Sequence, residues 1–372
     1  MASSSTGEKP RVLVLGGCGF IGRNLVHYLV SKDLAAKIRV ADKTPPQMAW
    51  MNDKHKEAIE SVDFVSVNLI NPGSVSKAFS DGDDSYDIVV NLAAETQYGR
   101  ADVIYEEGIV KLSQNCAREA AARNVKKYIE ISTGQVYSSD KKSSKEDSSK
   151  LSPWTGIAKC KLQVEEELKK VDGLNYCVLR PATVYGLGDK YGLTPRLIIG
   201  AVYRQLGEKM ELLWSADLGM HTVHVDDVCQ AIWHVAEKAE NGQVFNVVDK
   251  SSTTQGSISD LVCQIFDIKY GFLGTALTKI AELSNRDIAE FCNDKHTEPW
   301  SEACKLDKIE HTPLSPYLDA ELLYHKHMLL DGSKLDATGF THLRPKLTKE
   351  ALKEMVDDFV KIGVFPKSLV PS

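Results

Sequence analysis

The sequence lacks the features that are typical of secreted, membrane-spanning and nucleic-acid-binding proteins. No apolar run approaches the roughly 18 residues that a membrane-spanning helix needs. The first ten residues are polar and contain no apolar stretch of the kind that secretory signals carry. With 45 basic against 51 acidic residues, the net charge of −6 provides no general attraction for nucleic acid or anionic membranes. We therefore expect a cytoplasmic protein whose partner is a small molecule.

Cysteine pairs are also missing. The 8 cysteines are scattered singly, with no C-x-x-C motif, which is typical of reduced thiols and not of a disulfide framework. No histidine or cysteine spacing matches a metal-ligand pair, so no metal site is predicted. At 43% hydrophobic and 26% charged residues, the composition is that of a folded globular protein and excludes general disorder.

A glycine-rich turn near the start of the chain is the most informative feature that is present. Residues 16–22 read GGCGFIG and lie between the apolar run Val12–Leu15 and a helical pattern. Gly16 suits a turn that is closed to other residues, Gly19 lets the backbone approach a pyrophosphate, and Gly22 lets the helix pack on the strand. The following helix N-terminus offers N–H groups to phosphates. This order of strand, turn and helix predicts a dinucleotide site.

An acidic residue follows at the position where such a site holds the adenosine ribose. Asp42 ends a second short strand, 20 positions after Gly22. A carboxylate there binds ribose hydroxyls and repels a 2′-phosphate, so NAD is favoured over NADP. Lys43 next to it acts in the opposite direction, because a cation offsets part of that repulsion.

The first half of the chain alternates apolar strands with amphipathic helices, which predicts an α/β fold with a doubly wound parallel (Rossmann) sheet. We expect a disordered N-terminus over residues 1–10, an NAD-binding domain over 11–185, and a smaller C-terminal substrate lobe over 186–372, interleaved with returning sheet elements. The predicted strands are Arg11–Leu15, Lys37–Ala41, Asp63–Val67, Ile88–Leu92, Lys127–Ser132 and Tyr176–Leu179. The predicted helices are Ile21–Ser31, Ser74–Phe79, Ile104–Arg123, Ala158–Val171 and Thr348–Ile362.

Several further segments resemble those of the extended short-chain dehydrogenase/reductases, which include sugar-nucleotide epimerases and dehydratases and 3β-hydroxysteroid dehydrogenases. The similar segments are VVNLAA at 89–94, ISTGQVY at 131–137, LRPATVYG at 179–186, HTVHVDDV at 221–228 and VFNV at 244–247. The resemblance implies that the protein binds a nicotinamide cofactor. The residues expected at the cofactor are Gly16, Gly19, Phe20, Ile21, Gly22, Asp42, Asn68, Leu69, Leu92, Ala93, Ala94 and Lys159.

The family's chemistry rests on a tyrosine that exchanges a proton with the substrate, a lysine four residues later, and a Ser/Thr that bonds the substrate oxygen. By this resemblance Thr133 is the Ser/Thr and Lys159 is the lysine. Counting back four residues from Lys159 gives Thr155, so the tyrosine is missing. A threonine hydroxyl does not ionise near neutral pH and cannot replace a phenol.

Three interpretations of this departure remain open. In the first, another group supplies the proton, and Tyr98, on the loop where substrate would enter, is the candidate ahead of Tyr137, Tyr185 and Tyr191. In the second, Lys159 itself is the acid or base, since burial lowers a lysine pKa. In the third, the protein binds NAD without turning it over and acts as a sensor or scaffold.

The sequence favours an atypical NAD-dependent oxidoreductase or epimerase acting on a small carbinol or carbonyl substrate. Family members often carry an arginine for a substrate phosphate near the VDDV segment, where this chain has Met220 and His221. A sugar nucleotide, a steroid-like molecule and a phenolic molecule therefore all remain candidate substrates, with Arg196 or Arg204 as the alternative source of positive charge. The resemblance to this family also implies a homodimer.

Overall fold

The computed structural model describes residues 8–80, 82, 85–139, 141–274 and 285–371. Its centre is a seven-stranded sheet in the order β10-β6-β5-β4-β1-β2-β3, with every pair parallel. The strands of this sheet are β1 (Arg11–Leu15), β2 (Lys37–Asp42), β3 (Asp63–Ser66), β4 (Ile88–Asn91), β5 (Lys127–Ile131), β6 (Tyr176–Pro181) and β10 (Gln243–Val247). The order reverses between β1 and β4, which confirms the doubly wound α/β prediction.

Helices cover both faces of the sheet and form much of the rest of the described chain. They are α1 (Phe20–Ser31), α2 (Asp53–Glu60), α3 (Pro72–Phe79), α4 (Asp102–Tyr105), α5 (Leu112–Ala122), α6 (Gly156–Leu168), α7 (Thr194–Leu206), α8 (Val225–Lys238), α9 (Gln255–Phe266), α10 (Asn285–Leu306), α11 (Ser333–Asp336) and α12 (Lys349–Lys361). Two small parallel sheets pair β7 (Thr183–Tyr185) with β9 (Thr222–His224), and β8 (Met210–Leu212) with β11 (Tyr270–Phe272).

The six predicted strands are all present, and their ends differ by two residues or fewer. One predicted helix is divided. The pattern over Ile104–Arg123 forms α4, a π-helical segment at Glu106–Lys111, and then α5. Within this segment the Gly108 carbonyl accepts a hydrogen bond from the Glu95 backbone N–H at 3.0 Å. π-Helical turns occur frequently at functional sites, and Glu107 and Gly108 here line the large cavity described below.

A second hydrophobic core lies beside the sheet and is formed by α7, α9, α10 and α12. Its buried side chains include Leu197, Val262, Trp300, Leu352 and Phe359. These helices all come from the C-terminal half of the chain, where the sequence predicts a substrate-side lobe, and that role stays a prediction. The boundary at residue 186 stays a prediction.

Residues 1–7 of the segment predicted to be disordered lie outside the described residues. Among the helices that the structure describes, none is both long and apolar enough to cross a bilayer. No cluster of three or more potential metal ligands occurs within the described part of the chain.

Candidate active site

A cavity of about 1120 Å³ extends from the glycine turn after β1 into the second hydrophobic core. It lies beyond the carboxyl ends of β1 and β4, the point where the strand order reverses and where sheets of this kind bind ligands. Of the twelve residues predicted at the cofactor, eleven line this cavity, and Lys159 does not. Thr133 and Tyr98 also line it, whereas Thr155 does not.

The glycine turn is shaped by contacts that leave no room for side chains. Gly16 has a φ of +77°, and a Cβ there would lie 2.6 Å from the Ala93 backbone nitrogen. At Gly22 a Cβ would lie 2.3 Å from the Gly16 carbonyl oxygen. Gly19 precedes α1, and this end of the helix carries no side-chain cap. The first N–H groups of α1 therefore remain available to a phosphate in the cavity.

The close approach at Gly16 predicts an unusually large effect of a small substitution. We expect Gly16→Ala to destabilise the protein by about 3 kcal/mol, because it adds a backbone clash to the cost of a left-handed conformation. Gly173→Ala is the matched control, since Gly173 has the same φ of +77° and a Cβ added there would meet no atom within 4 Å. We expect it to cost only about 1 kcal/mol in urea unfolding. Equal losses in the two variants would contradict this explanation.

Asp42 is held at the cavity wall by two backbone groups. One carboxylate oxygen accepts from the Cys18 N–H and the other from the Thr44 N–H, both at 2.9 Å. Burial raises the pKa of Asp42, while these hydrogen bonds and Lys43 oppose the rise. Each carboxylate oxygen retains a second lone pair, so Asp42 can still accept hydrogen bonds from a ribose.

The two lysines near the start of α6 lie in different surroundings. Lys159 is exposed and does not line the cavity. Lys161 is only 6% exposed, lines the cavity and places its Nζ 3.1 Å from the Glu130 Oε1. Two positions along a helix correspond to a rotation of about 200°. The structure thus places Lys161, and not Lys159, in the cavity that Thr133 and eleven of the predicted cofactor residues line.

Glu130 fixes the position of the Lys161 ammonium. Its carboxylate is completely buried and receives four donors: Lys161, the Asn91 amide at 2.7 Å, and the hydroxyls of Ser113 and Tyr128 at 3.2 Å each. A buried carboxylate needs such compensation because desolvation of its charge is costly.

Neither of the residues that lie four positions before Lys159 and Lys161 is a tyrosine. Thr155, four before Lys159, is buried at the N-cap of α6, where its Oγ1 accepts from the Ala158 N–H at 3.1 Å. Ile157, four before Lys161, lines the cavity. Both positions therefore lack a group that ionises.

The phenol nearest to Thr133 in the hydrogen-bond network comes from the loop after β4. The Gln135 side-chain amide donates to the Tyr98 hydroxyl at 3.0 Å, and the Gln135 backbone N–H donates to Thr133 Oγ1 at 3.2 Å. Of the other candidates, Tyr137 and Tyr185 are buried, and Tyr137 donates to the Asn246 side-chain oxygen at 2.8 Å. Tyr191 lines the cavity but is 43% exposed.

An arginine without a carboxylate partner among the described residues lines the far end of the cavity. The Arg196 Nη2 atom lies 3.4 Å from Gln255 Oε1 and 3.8 Å from Met220 Sδ. Its Nη1 atom is shielded from solvent and has no hydrogen-bond partner in the described ranges. Burial lowers the pKa of Arg196 to about 10. His296, which lines the same end, also has two ring nitrogens without partners within the described part of the chain.

Sequence reasoning missed Lys161, Glu130, Gln135 and Ile157. The signal for Lys161 was present in the helical periodicity. The buried face of α6 is formed by residues at intervals of three with one step of one, namely Ala158, Lys161, Val164, Glu165 and Leu168. Lys159 is out of phase with this face.

The comparisons with known proteins agree with this architecture. The sequence model of the NAD-dependent epimerase/dehydratase family matches residues 12–248. A probable dTDP-glucose 4,6-dehydratase of Sinorhizobium fredii is 24% identical over 281 residues, which cover 69% of this chain and 76% of that protein.

Solved structures extend the similarity over nearly the whole chain. A UDP-N-acetylglucosamine 4-epimerase from Methanobrevibacter ruminantium, in complex with UDP-N-acetylmuramic acid, is similar with a TM-score of 0.67 and 21% identity, covering 95% of this chain and 99% of its own. The UDP-glucose 4-epimerase of Thermus thermophilus, in complex with NAD, has a TM-score of 0.66 and 21% identity, with 94% and 99% covered. At this identity the likeness establishes the fold.

Proposed function

Because the chain belongs to the NAD-dependent epimerase/dehydratase family, we propose that it is an NAD-dependent oxidoreductase or epimerase acting on a sugar nucleotide. One observation carries this proposal. A single cavity joins the glycine turn and Asp42 to Thr133 and Lys161, and then to the shielded guanidinium of Arg196. Cofactor, reacting carbon and an anionic part of the substrate would thereby share one enclosed space.

The residues of the first part of the cavity fit NAD. A turn in which Gly16 and Gly22 tolerate no Cβ brings the backbone close to a pyrophosphate, and Asp42 offers its carboxylate to the adenosine ribose. The NAD-bound epimerase of Thermus thermophilus, which has the same fold, supports this choice of cofactor. When bound, NAD supplies a hydride acceptor.

Asp42 is the residue that would select NAD over NADP. We expect Asp42→Asn to weaken NAD binding and to tighten NADP binding by about tenfold, because it removes a charge that repels the 2′-phosphate while Lys43 remains. Asp53→Asn is the control, since Asp53 is an exposed carboxylate paired with Lys361 outside this cavity. The measurement is the titration of both cofactors by intrinsic fluorescence. An unchanged preference in Asp42→Asn would remove Asp42 from the cofactor site.

At the reacting end, Thr133 and Lys161 take the places that the family gives to its Ser/Thr and lysine. In this role Thr133 bonds the substrate oxygen, and Lys161, held by Glu130, holds the nicotinamide ribose. Ile157 then stands at the tyrosine position, four residues before Lys161. The apolar Ile157 side chain excludes water from this wall but exchanges no proton.

Arg196 favours a sugar nucleotide over the steroid-like and phenolic alternatives. A shielded guanidinium nitrogen without a partner is costly unless a ligand supplies one. Guanidinium groups match the oxygens of phosphates, and a nucleotide sugar brings two phosphates into the cavity. A neutral steroid or phenol would leave the same nitrogen unsatisfied.

Ile157 also favours a second candidate function, in which the protein binds NAD and reports on it without turnover. Turnover separates the two candidates. Wild-type protein with NAD is incubated with UDP- and dTDP-sugars, and products are separated by chromatography before mass detection, since an epimerase changes no mass. A new product supports the enzyme. Tight NAD binding with no product from any sugar nucleotide supports the sensor.

A further inference from the structure

The hydrogen bonds around Thr155 determine where the proton of the Tyr98 phenol points. Thr155 Oγ1 accepts from the Ala158 N–H as the N-cap of α6 and lies 2.9 Å from Gln135 Oε1. The threonine hydroxyl has one proton, and it donates that proton to Gln135. Because Thr155 is held in place as the N-cap, its hydroxyl is a fixed hydrogen-bond donor to the side-chain oxygen of Gln135.

This donor sets the orientation of the Gln135 amide. With Oε1 accepting from Thr155, the Nε2 group faces Tyr98 and donates to its hydroxyl oxygen at 3.0 Å. The opposite orientation would place an amide donor against the Thr155 hydroxyl and leave the hydroxyl proton without an acceptor. The orientation with Oε1 toward Thr155 gives the Thr155 proton an acceptor, and it leaves only the Tyr98 proton, at the cavity, without one among the described residues.

The Tyr98 oxygen consequently accepts the hydrogen bond from Gln135, and the Tyr98 hydroxyl proton has no acceptor among the described residues. Among the described residues no other side chain or carbonyl bonds the Tyr98 hydroxyl. The residue lines the cavity beside Gln135 and Thr133. The proton is therefore available to a ligand in the cavity.

From this arrangement we propose that Tyr98 is the catalytic proton donor to the carbonyl oxygen of the substrate, with Gln135 as its positioning residue. The role rests on the proposed function and specifies the group that replaces the missing phenol. As a hydride from the reduced cofactor reaches the carbonyl carbon, the π electron pair of the C=O bond forms a new O–H bond with the Tyr98 proton. The phenol is left as a phenolate, which the Gln135 N–H stabilises, and it regains a proton from solvent.

The surroundings of Tyr98 suit a donor better than a base. Burial raises the pKa of Tyr98 to about 12, the carboxylates of Glu321 and Asp189 and the phenol of Tyr105 act in the same direction, and the Gln135 bond opposes them. Lys161, one of the lysines that line this cavity, is paired with Glu130. A phenol that stays protonated at neutral pH holds the proton that the substrate oxygen takes up during carbonyl reduction.

The test combines a rate with a spectroscopic readout. The intact protein with reduced NAD is given dTDP-4-keto-6-deoxyglucose or the UDP analogue, and single-turnover oxidation of the cofactor is followed. We expect Tyr98→Phe to slow this step at least about a hundredfold with unchanged cofactor affinity, and to lose the solvent deuterium effect of the wild type. Gln135→Leu is expected to lower the rate about tenfold without changing KM. Tyr317→Phe is the control, since Tyr317 is an exposed tyrosine that does not line the cavity, and it should react like wild type.

Tyrosine labelled with ¹³C at Cζ provides the second readout. In the NAD complex, the resonance that Tyr98→Phe removes should titrate only above about pH 11. A Tyr98 that titrates below about pH 9 would be a base of the ordinary family kind and would overturn the donor role. If the Tyr98→Phe protein reduces the keto sugar as fast as wild type does, the proton-donor role of Tyr98 is wrong but the proposed function stands. A wild type that binds the reduced cofactor but reduces neither keto sugar overturns the proposed function together with it.

Discussion

Lys161→Met is expected to lose turnover by a factor of about 10² to 10⁴ and to destabilise the protein by about 3 kcal/mol. Two independent physical effects produce this result. The ammonium that lines the cavity disappears from the reacting end, and the completely buried Glu130 carboxylate loses its only charged donor among the described residues. An unpaired buried carboxylate is one of the most costly defects that a single substitution creates.

A double substitution separates the two effects. Glu130→Gln together with Lys161→Met removes both charges, so we expect a coupling free energy of about 2 kcal/mol in the double-mutant cycle, measured by urea unfolding. Stability is thereby largely restored, but turnover is not. Lys159→Met is the matched control on the same helix, and because Lys159 is exposed it should change stability by less than about 0.5 kcal/mol. Loss of turnover in Lys159→Met, with Lys161→Met active, would contradict our assignment of the lysine.

Arg196→Met is expected to act on stability and on binding in opposite directions. The methionine removes a shielded cation that has no carboxylate partner within the described part of the chain, so the ligand-free protein should become more stable by about 1 kcal/mol. The same change removes the positive charge that we assign to the substrate phosphates. The Kd for UDP should rise about a hundredfold, corresponding to about 2.7 kcal/mol, with NAD affinity unchanged.

Arg204→Met provides the comparison, because Arg204 lies on the same helix and does not line the cavity. Calorimetric titration with UDP and thermal unfolding of the three proteins are the measurements. A destabilised Arg196→Met protein with unchanged UDP affinity would show that Arg196 has a structural role and would return the steroid-like and phenolic substrates to consideration.

The residues that line the proposed cofactor end of the cavity could be predicted because the pattern that selects them is local in sequence. A strand, three glycines, a helix and an acid 20 residues later lie within the first 42 positions, and each requirement is met by residue type alone. The contacts at Gly16 agree with that reasoning, since a Cβ there would meet the backbone of Ala93, just after the neighbouring strand β4.

The residues at the reacting end of the cavity could not be predicted in the same way, because no tyrosine lies four residues before Lys159 or Lys161. Without the tyrosine, only the spacing within residues 153–159 assigns the lysine, and the structure places that lysine in solvent. A shift of two residues turns a helix by about 200°, so a small error in alignment reverses the face. The periodicity of α6 identifies Lys161 without reference to any motif.

The partnerships that define the site connect distant parts of the chain. Lys161 pairs with Glu130, Thr155 with Gln135, and Gln135 with Tyr98 across 31, 20 and 37 positions. Arg196 is identified by what it lacks among the described residues, which only a three-dimensional arrangement reveals. Residue types and spacing carry no information on such contacts.

The central claim is that this cavity turns over a sugar nucleotide with NAD although it lacks the family's tyrosine. Its most direct test is chromatography coupled to mass detection of UDP- and dTDP-sugars incubated with NAD and either wild type or the Glu130→Gln, Lys161→Met double variant. We predict a new product from the wild type and none from the folded double variant. NAD binding by both proteins with no product from either would contradict the enzyme and leave a cofactor sensor.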